Sequence, residues 1–210
     1  MDLGGGKYPA YEEEWLLDGS PLTPNRRTIS RRDIATGSTG LAVTQAQLFV
    51  YPVTVQAGDV FDFATILVKT ATATPTHSWV ALYNGVGASA TLQAQSADVT
   101  GGFAVGANKL QLGSVVSNIG TQGIPQGPST PAIVPAGPAV WGVAVYNSGA
   151  TGAALDGMPG GQVAGEIAVT GQIPFVSQVA LAATATAPAT LAGIAAVIGT
   201  GVPYVLLSRA

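Results

Sequence analysis

Hydrophobic residues recur at every second position along much of the chain, and from Trp79 to Tyr83 they form a continuous run. In an extended strand, Trp79 and Tyr83 point to one side, whereas Val80 and Leu82 point to the other. An Asn-Gly pair follows directly, and this dipeptide is typical of a two-residue hairpin turn. The pattern therefore predicts a β-hairpin at the centre of a β-sheet.

The same period of two continues through most of the sequence after residue 40, with Pro52 interrupting the first run. Glycine and proline separate the runs, and helical periodicity is almost absent. The predicted strands are residues 41–55, 61–68, 75–84, 92–98, 109–116, 139–146, 167–169, 175–181 and 203–207. Strands at this spacing predict an all-β fold, a single jelly-roll-like β-sandwich whose last strand returns to close the domain.

Charge divides the chain into two parts. Residues 1–33 hold 11 of the 19 acidic and basic residues. We therefore predict an N-terminal docking arm over residues 1–37, mostly extended, and a β-sandwich domain over residues 38–210. Within that domain, residues 117–138 contain five prolines and four glycines and are predicted to form a long loop excursion.

The N-terminal arm carries apolar and charged groups that so short a segment cannot bury by itself. We expect the arm to order on another subunit, with an aromatic-aliphatic pair as the apolar contact and arginines binding carboxylates or carbonyls bidentately. The predicted partner-docking residues are Trp15, Leu16, Arg26, Arg27, Arg31 and Arg32. The alternative interpretation is a disordered tail.

Composition also favours contact with partners. Hydrophobic residues make up 47% of the chain and charged residues 9%, against about 25% charged in ordinary soluble domains. Either apolar surface is covered in an assembly, or the surface is rich in Thr, Ser and Gln; we favour the assembly. The net charge of −3 and the acids that accompany the arginines argue against nucleic acid as a partner.

Other classes are excluded more directly. The absence of cysteine removes disulfide frameworks, thiol catalysis and cysteine-based zinc sites. Residues 2–14 lack the apolar core of a secretory signal. The uncharged run from Ile167 to Ser208 is broken by glycine and proline, so we expect no membrane insertion.

The candidate chemical groups are few. His77 is the only histidine, and no Gly-x-Ser-x-Gly element accompanies it, so a structural role beside Trp79 is favoured over a catalytic triad. Asp59 and Asp62 could hold a cation or act in acid–base chemistry, but turn chemistry explains Asp59 without either role. Asp98 stands isolated and is interpreted as a turn or partner-facing residue. We expect no catalytic residue, no metal site and no cofactor.

Aromatic side chains offer one further possibility. If they face solvent, Trp79, Tyr83 and Trp141 could form a platform for a sugar. Strands of a sandwich more often bury such groups. The predicted core residues are Trp79, Leu82, Tyr83 and Trp141.

The run Pro-Thr-His-Ser-Trp-Val-Ala-Leu-Tyr at 75–83, with the returning Leu-Gln-Ala-Gln-Ser-Ala-Asp at 92–98, resembles a known module. It is similar to a β-sandwich found in tail and other appendage proteins, of minor tail or head-fibre type, in phages that infect actinobacteria. The resemblance covers about residues 38–147. It implies a non-enzymatic virion structural protein, a minor tail or tail-tip component that docks through its arm.

Two main alternatives and a weaker third remain open at this point. One is a capsid decoration or head-fibre protein, and the other, from a different class, is a carbohydrate- or receptor-binding module; a hydrolase dependent on His77 is a weaker third. The expected partners are other virion proteins and copies of the chain itself, with a trimer favoured, and a host-surface glycan is a further candidate. The expected location is the phage particle, assembled in the host cytoplasm.

Overall fold

The computed structural model describes residues 25–28, 41–43, 46–114, 132–133, 139–158, 177–196 and 201–209. This part of the chain consists of β-strands and connections without a helix. The strands are β1 Arg26–Arg27, β2 Leu41–Ala42, β3 Gln47–Val55, β4 Val60–Phe61, β5 Phe63–Thr70, β6 His77–Tyr83, β7 Leu92–Ser96, β8 Gly106–Ser114, β9 Ala132–Ile133, β10 Ala139–Ser148, β11 Ala154–Leu155, β12 Gly157–Met158, β13 Ser177–Ala180, β14 Ala195–Ala196, β15 Val202–Pro203 and β16 Val205–Ser208. The predicted all-β class is confirmed.

The strands form two layers that share strand β8. One layer, the back sheet, has the order β1-β16-β5-β8, with β11 and β2 continuing beside β5. The other layer, the front sheet, has the order β8-β7-β6-β10-β3-β13-β14. The first part of β8 pairs with β5 and its end pairs with β7, so this strand crosses from one layer to the other. All of these pairs are antiparallel, and the arrangement is sandwich-like; the jelly-roll topology stays a prediction.

The first hydrophobic core lies between the two sheets. On β5, Ala64, Ile66 and Val68 are buried, whereas the residues between them are half-buried. Leu82 and Trp141 enter the same core from the front sheet. The period of two in the sequence therefore reflects the inward and outward sides of the sandwich.

A second core lies on the outer face of the front sheet, beneath the covering segment, residues 181–194. Trp79, Tyr83 and Tyr146 project from the sheet into this core, and Leu191 of the covering segment packs against them. Strand β6 is therefore buried on both faces. This explains why its hydrophobic run is continuous, because neither face of the strand is left to water.

The prediction of a two-residue hairpin turn after β6 is wrong. Strands β6 and β7 are joined by eight residues, 84–91, and the Asn84 carboxamide oxygen accepts a hydrogen bond from the Thr91 amide at 2.7 Å. The longer connection carries Val86 and Ala90 into the second core. Burial of these side chains outweighs the local preference of Asn-Gly for a tight turn.

Several predicted strand boundaries also change. The first predicted strand divides into β2 and β3, and Pro52 lies inside β3 opposite Gly142 rather than interrupting the strand. The second divides into β4 and β5 at Asp62. Part of the predicted loop excursion, β9, returns to pair with β4. The expected C-terminal return is present, since β16 pairs with β5; the predicted strand at 167–169 lies outside the described residues.

Candidate functional site

A cluster of polar side chains lies where β6 begins and β10 ends. The Nδ1 atom of His77 is 2.6 Å from Oδ2 of Asp98. The other oxygen of Asp98 accepts a hydrogen bond from the Ser78 amide at 2.9 Å. The sequence suggested that Asp98 is an isolated turn or partner-facing residue, but the structure shows that its carboxylate contacts two groups of β6. It fixes the histidine ring and the first residues of β6 together.

The paired end of β10 extends this cluster into the interior. The side-chain nitrogen of Asn147, Nδ2, donates hydrogen bonds to the hydroxyls of Thr72 and Ser78, the latter at 2.8 Å. Its carboxamide oxygen is buried without a hydrogen-bond partner among the described residues. The Ser148 hydroxyl lies 2.7 Å from that of Thr76. The sequence did not point to these residues, because a polar residue that follows a predicted strand is usually a turn residue.

A cavity of about 430 Å³ opens beside this cluster. Its lining residues are Ala46, Thr74, Thr76, Ser148, Gly149, Ala150 and Ala183. Two of them, Ala46 and Thr74, adopt positive φ angles of 53° and 43°, a conformation that costs about 1–3 kcal/mol for a residue other than glycine. A side chain at Gly149 would approach the Thr72 methyl group to 2.8 Å, so only glycine fits there.

The arrangement orients a histidine but supplies it with no nucleophile among the described residues. A triad requires a hydroxyl bonded to the free ring nitrogen. The Ser148 hydroxyl instead donates to the main-chain oxygen of His77 at 3.3 Å. The described residues also contain no group of three or more acidic or histidine side chains that could hold a metal ion. The geometry is that of a network that holds the strand ends in register.

The candidate sugar platform is buried. Trp79 and Tyr83 are fully inaccessible, and Trp141 is 2% exposed. The indole nitrogen of Trp79 donates to the Thr184 oxygen at 2.9 Å, and the Tyr83 hydroxyl donates to the Pro188 oxygen at 2.8 Å. The tips of these aromatic residues thus hold the main chain of the covering segment. Leu82 lies in the first core, so the structure places all four predicted core residues in the interior.

Gln95 makes a matching contact that sequence analysis did not identify. Its amide nitrogen donates to the Ala185 oxygen at 2.9 Å, and its oxygen accepts from the Ala187 amide at 2.7 Å. Gln95 is 1% exposed, so the nitrogen and the oxygen of its carboxamide must both find hydrogen-bond partners inside the protein. The signal in the sequence was a glutamine within a buried strand, β7.

The predicted docking residues that the structure describes lie on the edge of the back sheet. Arg26 binds Asp59 bidentately, from Nε to Oδ2 at 2.7 Å and from Nη2 to Oδ1 at 3.0 Å. Asp59, 3% exposed, also accepts a hydrogen bond from the Gln56 amide at 2.8 Å. The predicted bidentate contact of Arg26 is therefore present, but its acceptor belongs to the same chain. Asp59 thus has two roles, because its carboxylate accepts the turn hydrogen bond from Gln56 and also forms the ion pair with Arg26.

The neighbours of Arg26 are also part of the sheet. Strand β1 pairs with β16, placing Arg27 opposite Leu206, and the Thr28 amide donates to the Val205 oxygen at 3.1 Å. Residues 25–28, which the sequence placed in the arm, therefore lie on the sandwich. The other predicted docking residues, Trp15, Leu16, Arg31 and Arg32, lie outside the described residues.

Comparison of the chain with protein-family models, curated proteins and solved structures gives no match in any of the three. Within the described ranges, no helix is long and apolar enough to span a membrane.

Proposed function

We propose that this protein is a non-enzymatic structural subunit of a bacteriophage virion. In this proposal it is a minor tail or tail-tip component that oligomerises and docks on the particle through its N-terminal residues. The resemblance of residues 75–83 and 92–98 to appendage modules of actinobacterial phages supports this assignment. So does the sandwich-like fold, although the same architecture serves many functions.

The observation that carries the proposal is the attachment of the charged N-terminal sequence to the sandwich. The bidentate pair of Arg26 with buried Asp59 fixes the chain at the edge of the back sheet. Residues 1–24 precede this point and contain five acidic residues and one lysine, with Trp15 and Leu16 among them. A firmly attached domain that carries an acidic, aromatic segment is suited to assembly by docking.

The described surface also bears on where partners would bind. The two internal cores take up most of the large hydrophobic residues, and Val105 is the exposed large hydrophobic residue of the described part, at 67%. The favoured interpretation of the composition, that apolar surface is covered in an assembly, thus has no support from this part of the chain. Docking in our proposal depends on residues 1–24 rather than on an exposed apolar patch.

The burial of the aromatic residues and the contacts of His77 argue against the other functional classes, a sugar-binding module and a hydrolase. A sugar platform built from Trp79, Tyr83 and Trp141 would require rings that face solvent, and these are buried. A hydrolase would require a nucleophile bonded to His77. A capsid decoration or head-fibre protein remains within the proposal as a second location on the particle.

The test is mass spectrometry of purified virions with heads and tails separated. We expect peptides of this protein in the tail fraction; peptides in the head fraction would support the decoration alternative. A tagged chain lacking residues 2–24 should be absent from the particles, whereas the matched Val105→Ser variant should be incorporated like the unmodified chain. Equal incorporation of the truncated chain would refute docking through these residues.

A further inference from the structure

The Asn84-Gly85 pair lies at the end of β6, and its role is not that of a turn sequence. It is the one Asn-Gly sequence of the chain, yet it does not form the two-residue turn for which this dipeptide is typical. Asn84 is exposed, Gly85 is half-buried, and both lie between β6 and β7. A side-chain amide directly before glycine is open to attack by the next main-chain nitrogen, because glycine has no Cβ to obstruct the approach. The pair is therefore a candidate for covalent chemistry.

The fold fixes the oxygen of the Asn84 carboxamide. The Thr91 amide donates to Oδ1 at 2.7 Å, which is at the short end of the range for such bonds, about 2.7–3.2 Å. The Asn84 main-chain amide donates in turn to the Thr91 oxygen at 3.1 Å. The carboxamide nitrogen Nδ2, in contrast, has no hydrogen-bond partner among the described residues. One end of the carboxamide is thus held by a donor, and the other end is free to leave.

Gly85, which supplies the attacking nitrogen, is also held in place. Its main-chain oxygen lies against β10, so that a Cβ added at Gly142 would be 2.5 Å from it. Within the described part of the chain, the Gly85 amide donates no main-chain hydrogen bond. The nitrogen is therefore available, and the residues on both sides of the new bond are positioned. Holding two reacting groups side by side lowers the entropic part of the barrier.

We propose that Asn84 is a site of self-modification, at which the Gly85 nitrogen attacks Cγ of Asn84. The nitrogen gives up its proton to a base in the solvent and forms a bond to Cγ. The bond between Cγ and Nδ2 then breaks, and Nδ2 takes a proton from water and leaves as ammonia. The product is a cyclic imide, which a water molecule opens at either carbonyl to give aspartate or isoaspartate. The balance is one water consumed and one ammonia released, with no oxidation or reduction.

The Thr91 amide activates the group that is attacked. As the Gly85 nitrogen adds to Cγ, negative charge develops on Oδ1, the atom that the Thr91 amide already contacts at 2.7 Å. A main-chain donor at this distance stabilises such an oxyanion, and in enzymes one donor contributes about 10²–10³ to the rate. Asn84 is exposed, so water competes for the same charge and weakens the effect. We therefore expect the fold to accelerate the reaction about tenfold.

The modification changes the connection that leads to the second core. Either product adds a negative charge at residue 84, and isoaspartate also lengthens the main chain by a carbon atom. This connection carries Val86 and Ala90 into the second core, and the Ala90 oxygen accepts a hydrogen bond from the Leu191 amide at 3.2 Å. Isoaspartate should therefore loosen the covering segment and lower the melting temperature. This chemistry is independent of the proposed function, because it requires only residues 84–91 and β10.

The test is incubation of the full-length chain at mildly alkaline pH, followed by trypsin digestion and mass spectrometry. Cleavage after lysine gives residues 70–109 as one peptide, which contains Asn84 and Asn108. We expect its mass to rise by the difference between an amide and an acid, with fragmentation locating the change at Asn84. Asn108 should react more slowly, because its Nδ2 donates to two main-chain oxygens. Isoaspartate is identified by chromatographic comparison with the same peptide from Asn84→Asp.

Gly85→Ala is the matched control. Gly85 does not adopt a positive φ, and an added Cβ would lie 3.4 Å from Cβ of Ala90, an ordinary contact. The variant should therefore melt like the parent chain. Its methyl group obstructs the attacking nitrogen, so modification of Asn84 should slow several-fold. A second comparison uses the parent chain unfolded in urea, where the hydrogen bond from Thr91 is lost.

The dependence on the fold decides between this site and simple reactivity of the sequence. The folded chain should be modified about tenfold faster than the chain in urea, because only the folded chain has the Thr91 donor. An equal or greater rate in urea would overturn the inference, since the Asn-Gly sequence alone would then explain the reaction. So would an Asn84 that is modified no faster than Asn108 in the folded chain. Modification of Gly85→Ala at the parent rate would do the same, because the reaction would then not pass through attack by the Gly85 nitrogen.

Discussion

Two N-terminal truncations should differ sharply in stability, because the sandwich begins before residue 28. Removing residues 1–24 leaves the ion pair between Arg26 and Asp59 in place. Removing residues 1–33 deletes Arg26, the pairing of β1 with β16 and the hydrogen bonds of Thr28. The shorter truncation should therefore melt like the full chain, and the longer one should not.

The magnitude follows from what the longer truncation leaves behind. Asp59 is 3% exposed and would keep only the hydrogen bond from Gln56. Removing one partner of a buried pair costs about 3–5 kcal/mol, because the remaining charge is left uncompensated. Because Arg26 is 21% exposed, the pair is partly solvated, and we expect a loss in the free energy of unfolding at the lower end of that range, about 3 kcal/mol. For a chain of this length, that corresponds to a melting temperature lower by about 6–12 °C.

The assay is differential scanning calorimetry of both truncations, of the full chain and of Arg26→Ala in the full chain. Arg26→Ala should reproduce most of the loss, which would assign it to the ion pair rather than to the deleted length. Arg26→Ala combined with Asp59→Asn should recover part of it, since the uncompensated charge is removed. Truncations that melt within about 2 °C of each other would refute this account of the domain boundary.

Three further substitutions and one control test the second core. Trp79→Ala should lower the free energy of unfolding by about 3–5 kcal/mol, measured by urea denaturation. Gln95→Ala should cost about 2 kcal/mol by leaving two main-chain groups of the covering segment unpaired. Gln93→Ala, at a half-buried position of β7, should cost less, and equal losses would contradict the role of Gln95. Burial raises the pKa of Tyr83. The neutral phenol is thus favoured by folding, so stability should fall as pH rises above about 10, and Tyr83→Phe should reduce this alkaline loss in pH-dependent melting.

Much of the fold was readable from local pattern. Alternation along β5 and the return of β16 are set by which side chains can face water, so a period of two is visible without tertiary information. The same applies to the burial of Trp79 and Trp141, whose hydrophobic runs leave little choice. The division of charge between the first 33 residues and the rest is likewise a property of the sequence alone.

The second core could not be predicted in this way. Whether the outer face of the front sheet meets water or the covering segment depends on residues about 100 positions apart, such as Trp79 and Thr184. The hairpin turn was misjudged for the same reason, because burial of Val86 and Ala90 decides the length of the connection. The local sequence cannot predict that burial, because it depends on residues that are distant along the chain.

Partners of charged groups depend on the same long-range placement. The sequence indicated that arginines would bind carboxylates bidentately, and Arg26 does so, yet its acceptor Asp59 comes from 33 positions along the same chain. His77 and Asp98 were assigned separate roles and are joined because β6 and β7 are neighbours. Residue type determines what a side chain can bind, and the sheet order determines which group stands within reach. Electrostatic contacts act over a few ångströms, so only the tertiary structure decides them.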